Sequence, residues 1–448
     1  MSLLVCPRSG EPITHQANGW LNKSSQTLYP NVGGVAWLWP DPGNALLDWR
    51  NRCNRLLASV NAEHTQLHTN IALASVANEH ETIYAAGLTS YQAQLENLLA
   101  PLKVGEPTAI EVHNALRTPY AAHHAADSYM QNVFRDWAWG DQENQDVLNF
   151  LLEVLQREKI APKNIAVLGS GAGRLAYDLH QALAPTTTFA LDANPLLCLV
   201  AQNMFTGKAL TLIEFPRAPI DAADYAVEQQ LSAPAESAPG LTVLCADIAH
   251  LPLKAGALDL VVTPWLIDVL DYPLSHQCQL YGDLLAAEGH WLNFGSLGFN
   301  AKDPAERFTT RALHTKVEAT GFAVVQHEDR EFAYLQSPHN RQRRFEMTHT
   351  FLARRTSEKT QAPRTKQPAD WISDHNRAVP LNDSFRTQLT TTRIHAFIMG
   401  LVDGQRSIRD MAKVLEDQRL MPAKEAEAAV THFLQVMLET SEQEQKLQ

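Results

Sequence analysis

Cysteine is scarce in this sequence and is not arranged for cross-linking or metal binding. The 448 residues contain five cysteines, none of them in a CxxC pair, which stand at Cys6, Cys53, Cys198, Cys245 and Cys278. An odd and scattered set argues against a disulfide framework or a cysteine-rich zinc site, and it fits a reducing compartment. We therefore expect no bound metal.

Targeting and membrane signals are also missing. The first residues do not show the basic region followed by an apolar run that is typical of a secretory signal. No stretch reaches the roughly 18 apolar residues that a membrane span needs. These absences predict a cytoplasmic protein that does not bind membranes.

Positive charge is in the minority. The formal net charge is −12, from 49 acidic and 37 basic residues, whereas binding to nucleic acid needs a concentrated basic face. The densest basic cluster is Arg341, Arg343 and Arg344, for which a solvated surface is the simpler interpretation. We expect no nucleic-acid partner.

What is present is the composition of a globular protein, with 45% hydrophobic and 19% charged residues. A chain of this length predicts two or three folding units. The patterns of apolar residues, glycine and proline predict a hairpin-rich module at 1–41, a helical segment at 42–124, an α/β domain at 125–356, a linker at 357–383 and a helical module at 384–448.

The strongest local signal in the α/β segment is a glycine-rich turn. The apolar run from Ile165 to Leu168 enters the sequence Gly-Ser-Gly-Ala-Gly, and a helical pattern follows it. The glycines at positions Gly169, Gly171 and Gly173 let a backbone turn sharply and approach a ligand where a Cβ atom would clash. We interpret this turn as part of a cofactor site at the start of a Rossmann-like sheet.

Polar residues follow the next three predicted strands. Asp192 ends the second strand, where a carboxylate can accept both hydroxyl groups of a ribose. Asp247 and Ile248 follow the third strand, where they are suited to an adenine amino group and an apolar ring contact. Pro264 and Asp268 follow the fourth strand. Since the carboxyl ends of parallel strands meet at one edge, these residues are predicted to face one crevice.

Nicotinamide binding is the competing use of such a sheet. The spacing here is Gly-x-Gly-x-Gly, whereas nicotinamide sites have Gly-x-Gly-x-x-Gly. The later run from His290 to Gly295 is similar to the fifth strand of class I methyltransferases, and two further runs, at 324–326 and 348–353, would form a final antiparallel pair. S-adenosylmethionine is therefore the predicted cofactor.

Several segments between 125 and 356 together resemble the carnosine N-methyltransferase-like family. They are residues 128–137, 169–175, 214–217, 262–268 and 291–297. The resemblance implies that Asn132 and Arg135 contact the methionine end of the cofactor and that Asn300 and Tyr334 lie near the substrate. The family usually has Gln at Asn132, Glu at Asp192 and His at Asn300.

The resemblance implies N-methylation of an imidazole in a histidine-containing small molecule or peptide. Asp268 would be the catalytic residue, because a carboxylate that accepts the imidazole N–H fixes the tautomer and stabilises the imidazolium that forms. With another substrate, Asp268 would bind an amine or form a wall of the pocket. The alternative functions are a non-catalytic methyltransferase-fold scaffold, a peptide-binding protein, and a methyltransferase acting on a protein side chain.

The flanking modules carry weaker resemblances. Residues 1–41 resemble the zinc-ribbon-like proteins that activate some methyltransferases, but only Cys6 remains of the usual zinc cysteines. Residues 384–448 resemble PqqD-like modules that bind peptides. A peptide or protein partner at this module is one expectation, and a dimerisation or lid element is the other.

Overall fold

The computed structural model describes residues 3–74, 78–104, 126–299, 304–356 and 378–446. The chain divides into two compact units, Met1–Pro363 and Arg364–Gln448. Within the described ranges, no helix is both long enough and apolar enough to cross a membrane.

The first unit is built on a large mixed sheet of eleven described strands, with a separate ribbon of two more. The strands are β1 (Thr14–Gln16), β2 (Gly19–Asn22), β3 (Thr27–Val32), β4 (Val35–Trp37), β5 (Asn164–Leu168), β6 (Thr187–Asp192), β7 (Leu210–Glu214), β8 (Val227–Leu231), β9 (Leu241–Cys245), β10 (Leu258–Pro264), β11 (Leu285–Gly295), β12 (Phe322–Tyr334) and β13 (Arg344–Arg355). The order in the sheet is β1-β2-β3-β4-β9-β6-β5-β10-β11-β13-β12, and β7 pairs with β8.

The central strands have the topology of a doubly wound fold. Strands β9, β6, β5, β10 and β11 run parallel in that order, and β13 and β12 follow as an antiparallel pair. This is the arrangement expected for a class I methyltransferase sheet, so the predicted Rossmann-like α/β fold is confirmed. The chain order reverses between β5 and β10, and a crevice opens at such a switch point.

Helices connect these strands and precede them. They are α1 (Pro42–Leu73), α2 (Glu79–Leu99), α3 (Met130–Phe134), a π-helical turn (Arg135–Trp139), α4 (Asp141–Arg157), α5 (Arg174–Leu183), α6 (Pro195–Phe205), α7 (Leu274–Leu284) and α8 (Thr310–Glu318). The predicted helical segment at 42–124 therefore contains α1 and α2, whereas residues 105–125 lie outside the described residues.

Alternating side chains of the parallel strands pack into two cores, one on each face of the sheet. In β5, Ile165 and Val167 pack into the core that includes residues of α4, α5 and α6. Ala166 and Leu168 pack into the core that includes residues of α7 and α8. Burial on both faces explains why β5 is apolar throughout, and it holds the end of this strand in a fixed position.

The N-terminal segment continues the main sheet. Strand β4 pairs in parallel with β9, so that Trp37 lies beside Cys245, and Leu4 forms a bridge with Leu253. The segment predicted as a module at 1–41 thus shares its sheet with the α/β domain. Cys6 is buried with its sulfur 3.0 Å from the hydroxyl of Tyr29, and the described residues contain no group of three side chains that could hold a metal ion.

The second unit contains three described helices, α9 (Asp383–Gly400), α10 (Ile408–Asp417) and α11 (Ala423–Lys446). Ser407 and Asp410 form a reciprocal capping box that begins α10. The buried core consists of Ile398, Met411, Ala412, Leu415, Ala426 and Val430. The PqqD-like resemblance stays a prediction, and the predicted linker at 357–383 lies outside the described residues as far as residue 377.

Candidate active site

A cavity of about 330 Å³ lies where the strand order reverses. Residues that follow β5, β6, β9 and β10 line it, because the carboxyl ends of these parallel strands meet at one edge. The lining includes these residues that the sequence predicted for the cofactor or the substrate: Asn132, Arg135, Gly169, Gly171, Asp192, Asp247, Ile248, Pro264 and Tyr334. The structure thus brings together side chains as far apart in the chain as Asn132 and Tyr334, which are separated by 202 residues.

The three glycines after β5 have different roles. Their φ angles are +67° at Gly169, +56° at Gly171 and +88° at Gly173, a region of backbone conformation that favours glycine. A Cβ atom on Gly173 would lie 2.9 Å from that of Ala201, so this glycine allows α6 to pack closely. A Cβ atom on Gly171 would meet no atom within 4 Å, so the cavity has room for a ligand beside its backbone.

Asp192 is fixed at the end of β6 by two backbone groups. Its Oδ2 accepts a hydrogen bond from the nitrogen of Gly171 at 2.9 Å, and its Oδ1 accepts one from the nitrogen of Asn194 at 2.8 Å. Burial raises the pKa of Asp192 to about 6, and the backbone hydrogen bonds oppose this effect. A carboxylate oxygen has two lone pairs, so both oxygens can still accept a ligand hydroxyl.

Asp247 and Ile248 begin a short helical turn after β9. The Oδ1 atom of Asp247 accepts a hydrogen bond from the nitrogen of Ala249 at 2.9 Å, and its Oδ2 lies 3.1 Å from Nδ1 of His250. Ile248 is buried apart from its contact with the cavity. A carboxylate and an apolar side chain therefore lie together at this end.

Arg135 lies in the π-helical turn, a rare backbone form that is frequent at functional sites. Its Nε and Nη2 atoms donate to Oδ1 of Asp136 at 2.9 and 2.6 Å. The guanidinium carbon lies 5.9 Å from the ring centroid of Trp265 and 5.3 Å from that of Tyr334. Since arginine has five N–H donors, this group can bind an anionic ligand while it keeps its ion pair.

Trp137, in the same turn, is a core residue. It is buried, and its Nε1 donates to the carbonyl oxygen of Ala172 at 2.9 Å. This bond joins the π-helical turn to the glycine loop. It therefore helps to fix the position of Arg135 relative to the glycine loop.

Tyr334 ends β12, which lies on the β10 side of the switch point, and it lines the cavity. Asn132 donates to its hydroxyl oxygen at 3.1 Å. The carboxylate of Glu143 accepts hydrogen bonds from the nitrogens of Leu335 and Gln336, at 3.0 and 2.8 Å. Because Leu335 has a φ of +55°, these bonds hold a strained turn directly after Tyr334.

Besides Gly173, the predicted residue Asp268 is not among the described residues that line the cavity. The Oδ2 atom of Asp268 accepts a hydrogen bond from the nitrogen of Gly298 at 2.8 Å, and burial raises the pKa of this carboxyl group. Its role as the catalytic residue stays a prediction. Asn300, predicted near the substrate, lies outside the described residues.

Several residues that line the cavity were not predicted from the sequence. They are Trp39, Trp49, Tyr129, Glu143, Asp178, Trp265 and Tyr272 among others. Trp265 stands directly after Pro264 in the segment 262–268, which was predicted to lie at the crevice. Its place in the cavity could therefore have been predicted from the sequence. Trp39 and Trp49 precede the α/β domain by about eighty residues, and no local pattern connects them to the glycine loop.

No protein-family model and no curated protein matches this chain. Solved structures with a similar fold include the N-methyltransferase NodS from Bradyrhizobium japonicum in complex with S-adenosyl-L-homocysteine, at 13% identity and a TM-score of 0.32, covering 47% of this chain and 86% of that one. The magnesium protoporphyrin IX methyltransferase from Synechocystis gives 13% identity and a TM-score of 0.31, with 55% and 95% covered. A chain from the complex of a methyltransferase activator and a putative methyltransferase of Haloferax volcanii gives 12% and 0.37, with 53% and 100% covered.

Proposed function

We propose that this protein is an S-adenosylmethionine-dependent N-methyltransferase that acts on the imidazole of a histidine-containing small molecule or peptide. One observation carries the cofactor part of the proposal. All the residues predicted for the cofactor, with the exception of Gly173, line a single cavity at the switch point of the sheet. Gly173 has a packing role beside it.

The residues in the cavity fit the three parts of this cofactor in the order of the strands. The donors of Arg135 suit the methionine carboxylate. Asp192 suits the two ribose hydroxyls, and the open side of Gly171 leaves room for the chain between them. Asp247 and Ile248, one strand further, suit the adenine amino group and ring.

When bound, the cofactor supplies a methyl group that its sulfonium already activates towards a nitrogen nucleophile. The protein then has to position the acceptor and stabilise positive charge. Trp265 and Tyr334 lie with their ring centroids 5.1 Å apart, and both line the cavity. Aromatic faces attract cations, so this pair suits the end of the cavity at which the methyl group is transferred.

The imidazole acceptor is supported by the resemblance to the carnosine N-methyltransferase-like family. A neutral imidazole uses one ring nitrogen as the nucleophile, and its other nitrogen carries a proton that needs an acceptor. Asp268 is the predicted acceptor for that proton donor. Its carboxylate follows β10 closely after Trp265, on the segment that forms this part of the cavity.

Mass spectrometry of a reaction mixture tests the proposal. Purified full-length protein is incubated with S-adenosylmethionine and a set of imidazole compounds that includes histidine, carnosine and histidine-containing peptides. The proposal expects an acceptor whose mass increases by one methyl group in place of a hydrogen, with S-adenosylhomocysteine formed in equal amount. Cofactor binding without transfer to any imidazole would leave the fold assignment intact and overturn the substrate class.

A further inference from the structure

The order of the sheet places one more strand beside the adenine end of the proposed cofactor site. The glycine loop, the proposed ribose residue and the proposed adenine residues follow β5, β6 and β9, which are neighbours in the sheet. The next strand is β4, from the N-terminal segment, and it runs parallel to β9. Its carboxyl end therefore lies at the same edge.

The register of this pairing fixes what lies beyond β9. Ala36 pairs with Leu244 and Trp37 with Cys245, and the nitrogen of Leu38 donates to the carbonyl oxygen of Cys245 at 2.9 Å. Trp39 and Asp247 each follow the last pair of this register, Trp37 and Cys245, by two residues, and both line the cavity. Side chains alternate between the faces of a strand, and Leu38 packs into the opposite core from that of Trp37 and Trp39.

Trp39 and Trp49 are both held firmly. Trp39 exposes 2% and Trp49 3% of its surface, and both line the cavity. The Nε1 atom of Trp37 donates to the carbonyl oxygen of Pro42 at 3.0 Å, which closes the turn between β4 and α1. The guanidinium of Arg52 lies 4.8 Å from the ring centroid of Trp49 and is paired with Asp48 at 2.8 Å.

We infer that Trp39 and Trp49 form a rigid wall at the adenine end of the cofactor site and limit the size of the purine that it accepts. Their burial leaves them no freedom to swing aside, because protein cores are packed as densely as organic crystals. The N-terminal segment is then a part of the binding site. This inference rests on the proposed function, since it takes the adenine to lie at Asp247.

A ligand with an enlarged purine, tested on the unaltered protein and on a variant with a smaller side chain at Trp39, tests the inference. S-adenosylhomocysteine carrying a benzyl group on the adenine amino nitrogen keeps one N–H for Asp247 but adds bulk beside it. We expect the unaltered protein to bind this analogue at least about tenfold more weakly than S-adenosylhomocysteine, because even one extra methylene changes binding in a hydrophobic pocket by roughly 10- to 200-fold. In Trp39→Ala the analogue should bind within about threefold of the parent ligand.

Trp291→Ala is the matched control. Trp291 is as deeply buried but lies on β11 in the opposite core, and it is not among the described residues that line the cavity. The control should lose stability as Trp39→Ala does and should still reject the analogue. If Trp39→Ala does not fold, Trp39→Leu opens part of the same space at a smaller loss of packing, and the analogue should then bind more tightly than it does to the unaltered protein.

Each result separates the inference from the proposal on which it rests. Failure of the unaltered protein to bind S-adenosylhomocysteine in calorimetry overturns the proposed function. If the unaltered protein binds S-adenosylhomocysteine and the benzyl analogue equally well, the inference that Trp39 and Trp49 limit the size of the purine is wrong. Rejection of the analogue by Trp39→Ala, in a variant that binds S-adenosylhomocysteine, also overturns it.

Discussion

Asp192 accepts a hydrogen bond from the backbone nitrogen of Gly171 across 2.9 Å, so that the proposed ribose-binding carboxylate and the glycine loop form one unit. Asp192→Ala removes the acceptor for two ribose hydroxyls and for this backbone group. Hydrogen bonds to charged groups contribute roughly 1.5–3 kcal/mol. Calorimetric affinity for S-adenosylmethionine should fall about tenfold to a hundredfold, and an unchanged affinity would remove Asp192 from the ribose.

The raised pKa of Asp192 predicts a pH dependence of cofactor binding. Burial raises this pKa to about 6, so the carboxyl group loses its charge as the pH falls through that value. Affinity for S-adenosylhomocysteine should be constant above pH 6 and should decrease below it, by up to about tenfold per pH unit. Asp192→Asn should bind weakly with a flatter profile.

Asp178 provides the control for this profile. It also lines the cavity, and burial raises its pKa to about 6. If Asp178→Asn flattens the profile while Asp192→Asn keeps it, the titrating group has been assigned to the wrong carboxylate.

Asp268→Asn tests how Asp268 acts. If Asp268 is a catalytic carboxylate that stabilises a developing imidazolium, the substitution should raise the activation free energy by about 2.7–4 kcal/mol. Turnover should then fall roughly 100- to 1000-fold, and cofactor affinity should not change. If Asp268 instead only holds Gly298 through its Oδ2 atom, the asparagine oxygen preserves that bond and turnover stays close to that of the unaltered protein. We expect the large loss of turnover, and a near-normal rate would return Asp268 to a supporting role.

Glu143 should stabilise the turn that follows Tyr334. Glu143→Ala removes the acceptor for the nitrogens of Leu335 and Gln336. Leaving backbone donors unpaired costs roughly 1–3 kcal/mol, so thermal unfolding should shift to lower temperature and Tyr334 should lose its fixed position. Glu153→Ala removes the same charge from an exposed position on α4 and should change neither property, whereas equal behaviour of the two variants would contradict this role.

The N-terminal segment should contain no structural zinc. It has a single cysteine, Cys6, against the four ligands that a closed zinc site normally needs. Elemental analysis of the purified protein should find zinc well below one equivalent. Stoichiometric zinc that disappears in Cys6→Ser would contradict this prediction.

The sequence predicted the parallel sheet because its signals are local. The apolar run before Gly169 is buried on both faces, and the turn residues stand directly after each strand. The pairing of β4 with β9 was not predictable in this way. It joins a three-residue strand to a partner about two hundred positions away, and such a short strand leaves no periodic pattern. The position of Trp39 in the cavity was not predictable for the same reason, since it depends on this long-range pairing.

Titration of the purified protein with S-adenosylhomocysteine and, separately, with NADH tests the central claim most directly. Both ligands contain adenine and ribose, so the comparison isolates the part of the site that distinguishes a methyltransferase from a dehydrogenase. We predict saturable one-to-one binding of S-adenosylhomocysteine and no saturable binding of NADH in the same concentration range. Tighter binding of NADH, or no binding of S-adenosylhomocysteine, would contradict it.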